Sequence, residues 1–253
     1  MYTDEQLDKL EQEEHLITEE TLVSMLSLLA DTKEELEREL RNFYQKYGKD
    51  GVVTYKEARK WVSSEDHRKR LFVLYLFIMN EFENALGKLQ KDFQSLLKGV
   101  MGKESEFFKV DLDLEKLIDS KWGADEQTWL DRLTEDGELW TAKLINDCKL
   151  NLLQRNNIEK VIEQLDDRFT TIGSVLRTLA LSESTAYGSI ARKEVFKQLG
   201  IKKYRFYSRP DERRCGHCGA LHGLIFPISA YEVGVTASPI HPRCRCWEVP
   251  IMD

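Results

Sequence analysis

Four of the five cysteines in this 253-residue chain fall in two short stretches near its end. Cys215 and Cys218 sit in "CGHC", and Cys244 and Cys246 close "HPRCRC", which opens on His241. Thiolate and imidazole are the donors that Zn2+ takes in closed tetrahedral sites, and two-residue spacers let one turn present two of them. The expected ligand set is Cys215, Cys218 and His241 with either Cys244 or Cys246. In an extended chain those last two point to the same face, so spacing does not choose between them. A site of four thiolates without His241 stays open, as do a disulfide pair and simple unpaired thiols. Gly216 and Gly219 are expected to permit a tight turn in which backbone amides face the sulfurs. His217 lies between two ligands and His222 follows them closely, so both are read as flanking residues. A filled tetrahedral set leaves no open position for catalysis, which makes the expected zinc structural.

These donors need elements to hold them. "KYRFY" alternates, with Tyr204 and Phe206 on one side and Lys203 and Arg205 on the other, and reads as a strand. "LIF" before Pro227 and "CWEV" before Pro250 are two more short apolar runs. Three such strands in about fifty residues bury too little surface to hold firmly alone, and a metal would supply what is missing.

Upstream the periodicity is helical. Thr18 is expected to start a helix, and Thr32 with Glu35 reads as a capping box for another that ends at Gly48. Gly51 and Glu57 have the spacing of EF-hand positions, but Lys46 and Gly48 stand where carboxylates are needed, so the segment reads as a turn, with Thr54 and Glu57 capping the next short helix. A single helix is expected from about Glu65 to Val100, a rod of roughly 54 Å, with "LFVLYLFIM" as its buried part. "MGKESEFFKVDLDLEKLIDSKWG" is expected to interrupt it and to link two helical sections. Trp122, Trp129 and Trp140 read as packing residues, and Cys148 as a small buried apolar one. Further helix is expected through Phe169 and again from Ile172 to Leu199, closed by Gly200; His15 and His67 carry no signal. The expected fold is mostly α with a small C-terminal zinc-stapled β unit, divided at 1–110, 111–200 and 201–253.

Charge is uneven. The net charge is -7, yet residues 1–40 hold thirteen acids against three bases, and from Ala186 onward bases outnumber acids eleven to six. The acidic start does not read as a secretory or transit peptide, and the longest apolar run, nine residues, falls short of the ~20 a membrane helix needs. Synthesis in a reducing cytoplasm follows, where paired cysteines favour metal over disulfide.

The run "RFYSRPDERRCGHCGALHGLIFPI…SPIHPRCRCWEVP" resembles the C-terminal domain of Mu-F-type head morphogenesis proteins, minor head components of tailed bacteriophages. The family's Asp-x-Arg-x-Cys-x-x-Cys, Leu-x-Gly and Pro-x-His-Pro-x-Cys-Arg-Cys positions read Asp211, Arg213, Cys215, Cys218, Leu221, Gly223, Pro239, His241, Pro242, Cys244, Arg245 and Cys246. The chain departs at Ser182–Glu183, where a Thr-Glu pair is typical, and at Tyr207, where the lead aromatic is commonly Trp. The resemblance covers roughly 150–250. It implies a virion protein at the portal vertex, with the portal protein as partner, scaffolding or major capsid protein as further partners, and contact with packaged double-stranded DNA. It implies no chemistry for the domain, and the seven residues after Cys246 are expected to leave no room for a fused enzyme.

Two other readings compete. Lys202, Lys203, Arg205, Arg209, Arg213, Arg214, Arg243 and Arg245, interleaved with Tyr204, Phe206 and Tyr207, could form a nucleic-acid-binding zinc module. A metal-dependent nuclease would have to draw on His222, Asp211 and Glu232 and is the least favoured; the chain is read as no enzyme.

Overall fold

A computed structural model describes residues 2–53 and 65–252, with the side chains of Asp4 and of 65–71 left aside. The fold is mostly α, with one small sheet near the end of the chain, as expected. Four long helices carry it: α1 (Asp4–Tyr47), α2 (Glu65–Phe108), α4 (Trp129–Gln154) and α5 (Ile158–Gln198). A single turn, α3 (Leu114–Leu117), lies between α2 and α4.

Continuous apolar rows explain why these helices outrun their expected bounds. In α1, Leu7, Leu10, Leu22, Met25, Leu29, Leu36 and Leu40 are all buried at three- or four-residue spacing or its multiples. Thr18 and Thr32 therefore start nothing. Their hydroxyls turn inward and donate to the carbonyls of Glu14 (2.8 Å) and Leu28 (2.9 Å), one turn back in the same helix. In α2 the row Phe93, Leu97, Val100/Met101 runs on through Glu104 to Phe108, so the break falls at Lys109 (φ 56°) and not at Met101. Likewise α5 has no break near Thr170, because Phe169, Ile172 and Leu176 are consecutive members of one row. Asn157 caps its start by accepting from the Lys160 amide (2.9 Å). Gly200 (φ 70°) closes it, with the Ile201 amide returning to Phe196 (2.8 Å).

The chain forms two compact units, one of Met1–Val23, Lys91–Arg132 and Leu176–Asp253, the other of Ser24–Gln90 and Leu133–Val175. In the second, Phe82 meets Phe169 edge-on (5.9 Å) and Arg168 pairs with Asp147 (2.7 Å). Cys148 is buried there, and burial pushes its thiol up to about 12, so it is inert packing as expected. The apolar run beginning at Leu71 is only partly buried: Leu74 and Ile78 face inward while Phe72, Val73, Leu76 and Met79 are exposed, the helical period overriding composition. Among the described residues no helix is long and apolar enough to cross a membrane. Gly51 adopts φ 75° in the turn after α1; Thr54 and Glu57 lie outside the described residues, as does the His67 side chain.

In the first unit Phe93, fully buried, stacks on Trp129 (6.1 Å), and Trp129 donates to the Ile118 carbonyl (3.2 Å). Phe93→Ala is expected to cost about 3–5 kcal/mol, read from urea denaturation; a loss under about 1 kcal/mol would show that the site collapses around the gap.

The sheet belongs to this unit. Its order is β2–β1–β3, all antiparallel: β1 (Lys203–Ser208) pairs with β2 (Ile225–Pro227) and with β3 (Cys246–Ile251). The alternation expected for β1 holds, with Tyr204, Phe206 and Ser208 inward. β3 is buried from Cys246 to Pro250. A two-turn helix, α6 (Gly216–Leu221), connects β1 to β2.

Candidate metal centre

Each donor is placed by a local element. Cys215 is the N-cap of α6 and its sulfur accepts from the Cys218 amide (3.3 Å), so the Cys-x2-Cys spacing becomes the first turn of a helix. A Cβ at Gly216 would meet open space and one at Gly219 only Arg214 Nε (3.6 Å), and neither glycine has a positive φ, so the turn is helical and does not rest on glycine conformations. The Cys244 amide closes a turn onto the His241 carbonyl (3.1 Å). Cys246 opens β3, opposite Ser208 of β1.

The five candidates converge. Cys215, Cys218 and His241 form one group of donors within 4.8 Å of each other, and Cys218, Cys244 and Cys246 form a second, with Cys218 common to both. His241 Nε2 lies 3.4 Å from the Cys215 sulfur and 3.2 Å from that of Cys218; the Cys218 and Cys244 sulfurs are 3.8 Å apart. A tetrahedral ion with Zn–S near 2.3 Å and Zn–N near 2.05 Å has ligand–ligand edges of about 3.8 Å for S···S and about 3.6 Å for S···N. The donor set fits a metal ion of that size. His241 Nδ1–H donates to the Pro242 carbonyl (2.9 Å), which fixes the ring and leaves Nε2 to the sulfurs.

Electrostatics divide the thiols. The Cys218 amide holds the Cys215 thiol below its ordinary value, and a hydrogen bond from Cys246 brings Cys244 down to about 6. Burial drives Cys218 up to about 12, and the bond to Cys244 followed by burial drives Cys246 up. For His241, burial is outweighed by the Pro242 carbonyl and the neighbouring sulfurs, which raise it. Such a nest of donors, two of them reluctant to ionise, becomes stable as thiolates when a cation sits among them.

His217 is exposed, while His222 is half-buried against Tyr207 (5.0 Å) and accepts from the Ser208 amide at Nδ1 (3.1 Å). Arg213, Arg243 and Arg245 line a cleft beside Cys244; Lys202, Lys203, Arg205 and Arg214 are not among its lining residues. Arg245 makes a two-pronged pair with Asp211 (2.6 and 2.7 Å), and Arg243 bonds Thr178 (2.6 Å). Tyr204 and Phe206 are fully buried, so two of the three interleaved aromatics face the core. Tyr207 packs on Trp247 (4.6 Å).

A second polar cluster was not anticipated from the motifs. Arg192 of α5, 1% exposed, points Nη2 at Glu11 (2.6 Å) and at Glu104, with Glu14 4.0 Å away, while Nη1 lies 3.6 Å from Glu248 of β3. Glu248 also accepts from the Ser238 amide (2.7 Å), Tyr231 (2.8 Å) and Ser189 (3.0 Å), tying β3 to α5. Burial raises Glu11 to about 7 and raises Glu14 and Glu104 as well. The typical Thr-Glu position of the resembled motif, here Ser182–Glu183, is also internal: Glu183 accepts from Trp122 Nε1 (2.8 Å) and pairs with Arg132 (3.0 Å).

Residues 145–249 match the family model described as Phage Mu protein F like protein. The match runs from within α4 through α5 to β3 and includes all five candidate ligands. No curated protein matches the chain, and no solved structure does.

Proposed function

With residues 145–249 forming a Mu protein F-like segment, we propose that the chain is a minor head protein of a tailed bacteriophage or prophage, seated at the portal vertex and acting in head morphogenesis and in DNA packaging or ejection. The observation that carries this reading is the family match, which coincides with the segment that gathers the five donors. The portal protein is the proposed principal partner, with scaffolding or major capsid protein beside it. Packaged DNA is a further candidate partner, through the exposed Lys202, Lys203, Arg213 and Arg214. The protein would travel with the virion.

Zinc is the proposed ion, held by Cys215, Cys218, His241 and Cys244. Cys244 is favoured over Cys246 because its sulfur sits at a tetrahedral edge length from Cys218, while the Cys246 side chain hydrogen-bonds Cys244 and Ser208. An ion there would cross-link the start of α6 to the turn before β3; its role is structural. We read the protein as no enzyme: the four proposed ligands close the coordination shell, and Asp211, which a nuclease would need, has both oxygens bound to Arg245.

Heads purified from an induced lysate, dissociated and analysed by mass spectrometry, are expected to contain the chain at low copy number, and tagged chain is expected to bring down the portal ring. Absence from purified heads together with no portal capture would overturn the assignment.

A further inference from the structure

Near its start, helix α2 turns large apolar residues outward. Leu74, Ile78 and Phe82 are buried in the second unit. Phe72 (59% exposed), Val73 (63%), Leu76 (45%) and Met79 (39%) lie on the other side of the helix. Single apolar residues on a surface need no explanation, but four gathered on two turns mark a contact face. Glu83, one turn further on, is exposed, and among the described residues no base pairs with it.

The spacing is that of a helix-packing seam. Lys69, Phe72, Leu76, Met79 and Glu83 follow one another at alternating steps of three and four residues. Leu76 is the centre of this row. Val73 and Met79 stand three residues before and after it, and Lys69 and Glu83 seven before and after. A half-turn about an axis through Leu76 lays a second copy of the helix antiparallel to the first. Leu76 then meets Leu76 and Val73 meets Met79, while position 69 of each copy falls opposite position 83 of the other. Apolar residues are matched in the middle, and a base is set against an acid at both ends. A parallel pairing would instead set like charge on like at positions 69 and 83. A face that complements itself under a two-fold rotation is what an isologous dimer uses.

We propose that the start of α2 is a homodimer surface, on which two copies of the chain pack antiparallel across Leu76. The inference rests on this stripe alone and stands apart from the phage assignment.

Sedimentation equilibrium of the full-length chain tests it. At micromolar concentrations the protein is expected to show twice its 29.6 kDa chain mass and to dissociate on dilution. Leu76→Glu, at an exposed helical position, should leave only monomer, with helical circular dichroism and urea midpoint unchanged. Lys69→Glu and Glu83→Lys should each weaken the dimer roughly tenfold, because either change sets like charges opposite one another at both ends. Combining the two reversals in one chain should restore the dimer. A chain that stays monomeric at every concentration would overturn the proposal, and the stripe would then serve a different partner. So would a dimer that survives Leu76→Glu, since another face would be holding it. A double reversal that fails to restore what the single ones lose would overturn the antiparallel register.

Discussion

Treating the purified protein with a zinc chelator is expected to open the segments around 209–222 and 239–246 while β1 and β3 remain paired. Zinc-finger peptides owe about 10–16 kcal/mol of apparent binding energy to the ion because little else holds them. Here much else does. β3 is buried along Cys246–Pro250, and Glu248 in its middle is anchored by Ser238, Tyr231 and Ser189. The cysteine turns have less: α6 buries only Cys218, and the apolar cluster around it consists of Phe206, Cys244 and Cys246 with a few partly buried neighbours. Elemental analysis should find one zinc per chain before treatment, and amide exchange should accelerate in the two cysteine segments afterwards, while the helical circular dichroism holds. Cys218→Ser, which removes the donor common to both groups, should reproduce the effect. Cys244→Ser should also lose the ion, and Cys246→Ser should keep it. Metal-free protein from reducing preparations that exchanges identically with and without chelator would sink the proposed centre.

How much of this was readable beforehand depends on the reach of each signal. The five donors were legible because their spacing is local and their types have few other uses at that density. The choice between Cys244 and Cys246 was not, because residues two apart share a face in extended chain and only the Cys218–Cys244 distance separates them. Long helices were legible from apolar rows, but their ends were misjudged wherever a capping signature was weighed above the row. Thr18 and Thr32 look like caps over four residues and like interior positions over twenty. Tyr204 and Phe206 were placed on one side of β1, yet counted among the interleaved aromatics of a nucleic-acid-binding module; burial of that side is a tertiary fact. Arg192 gave no warning, lying in "SIARKEVF", an ordinary amphipathic stretch. Its partners did give one: Glu14 and Glu104 interrupt apolar rows at positions where a leucine would fit, and an acid in such a row needs a buried partner from elsewhere in the chain.

Arg192→Met should unfold the first unit at pH 8 and spare it, in part, at pH 5. The substitution keeps the volume and removes the cation that faces Glu11, Glu14, Glu104 and Glu248. Breaking a buried ion pair from one side costs about 3–5 kcal/mol, and here a single deletion strands several acids, enough to exceed the whole stability of many domains. The pH dependence follows from the sign of the shifts. Burial raises Glu11 from 4.5 to about 7 in the folded protein, and Glu14 and Glu104 move the same way. Groups raised on folding bind protons more tightly in the folded state, so their stabilising contribution is complete below about pH 4.5 and is lost as pH climbs through 7. Glu11 alone would account for about 3 kcal/mol at most, an upper bound because its side chain is 17% exposed. The acids that Arg132 and Arg245 hold down, Asp125 and Asp211, act oppositely but below their ordinary value of 3.8, outside this window. Urea midpoints should therefore be higher at pH 5 than at pH 8 for the native chain, and the gap should widen in Arg192→Met. Adding Glu104→Gln to that variant should recover part of the loss at pH 8, because one stranded charge is gone and the amide can still bond. Midpoints that do not move with pH, or a variant as stable as the native chain at pH 8, would mean that Arg192 is not what permits four carboxylates to share the interior.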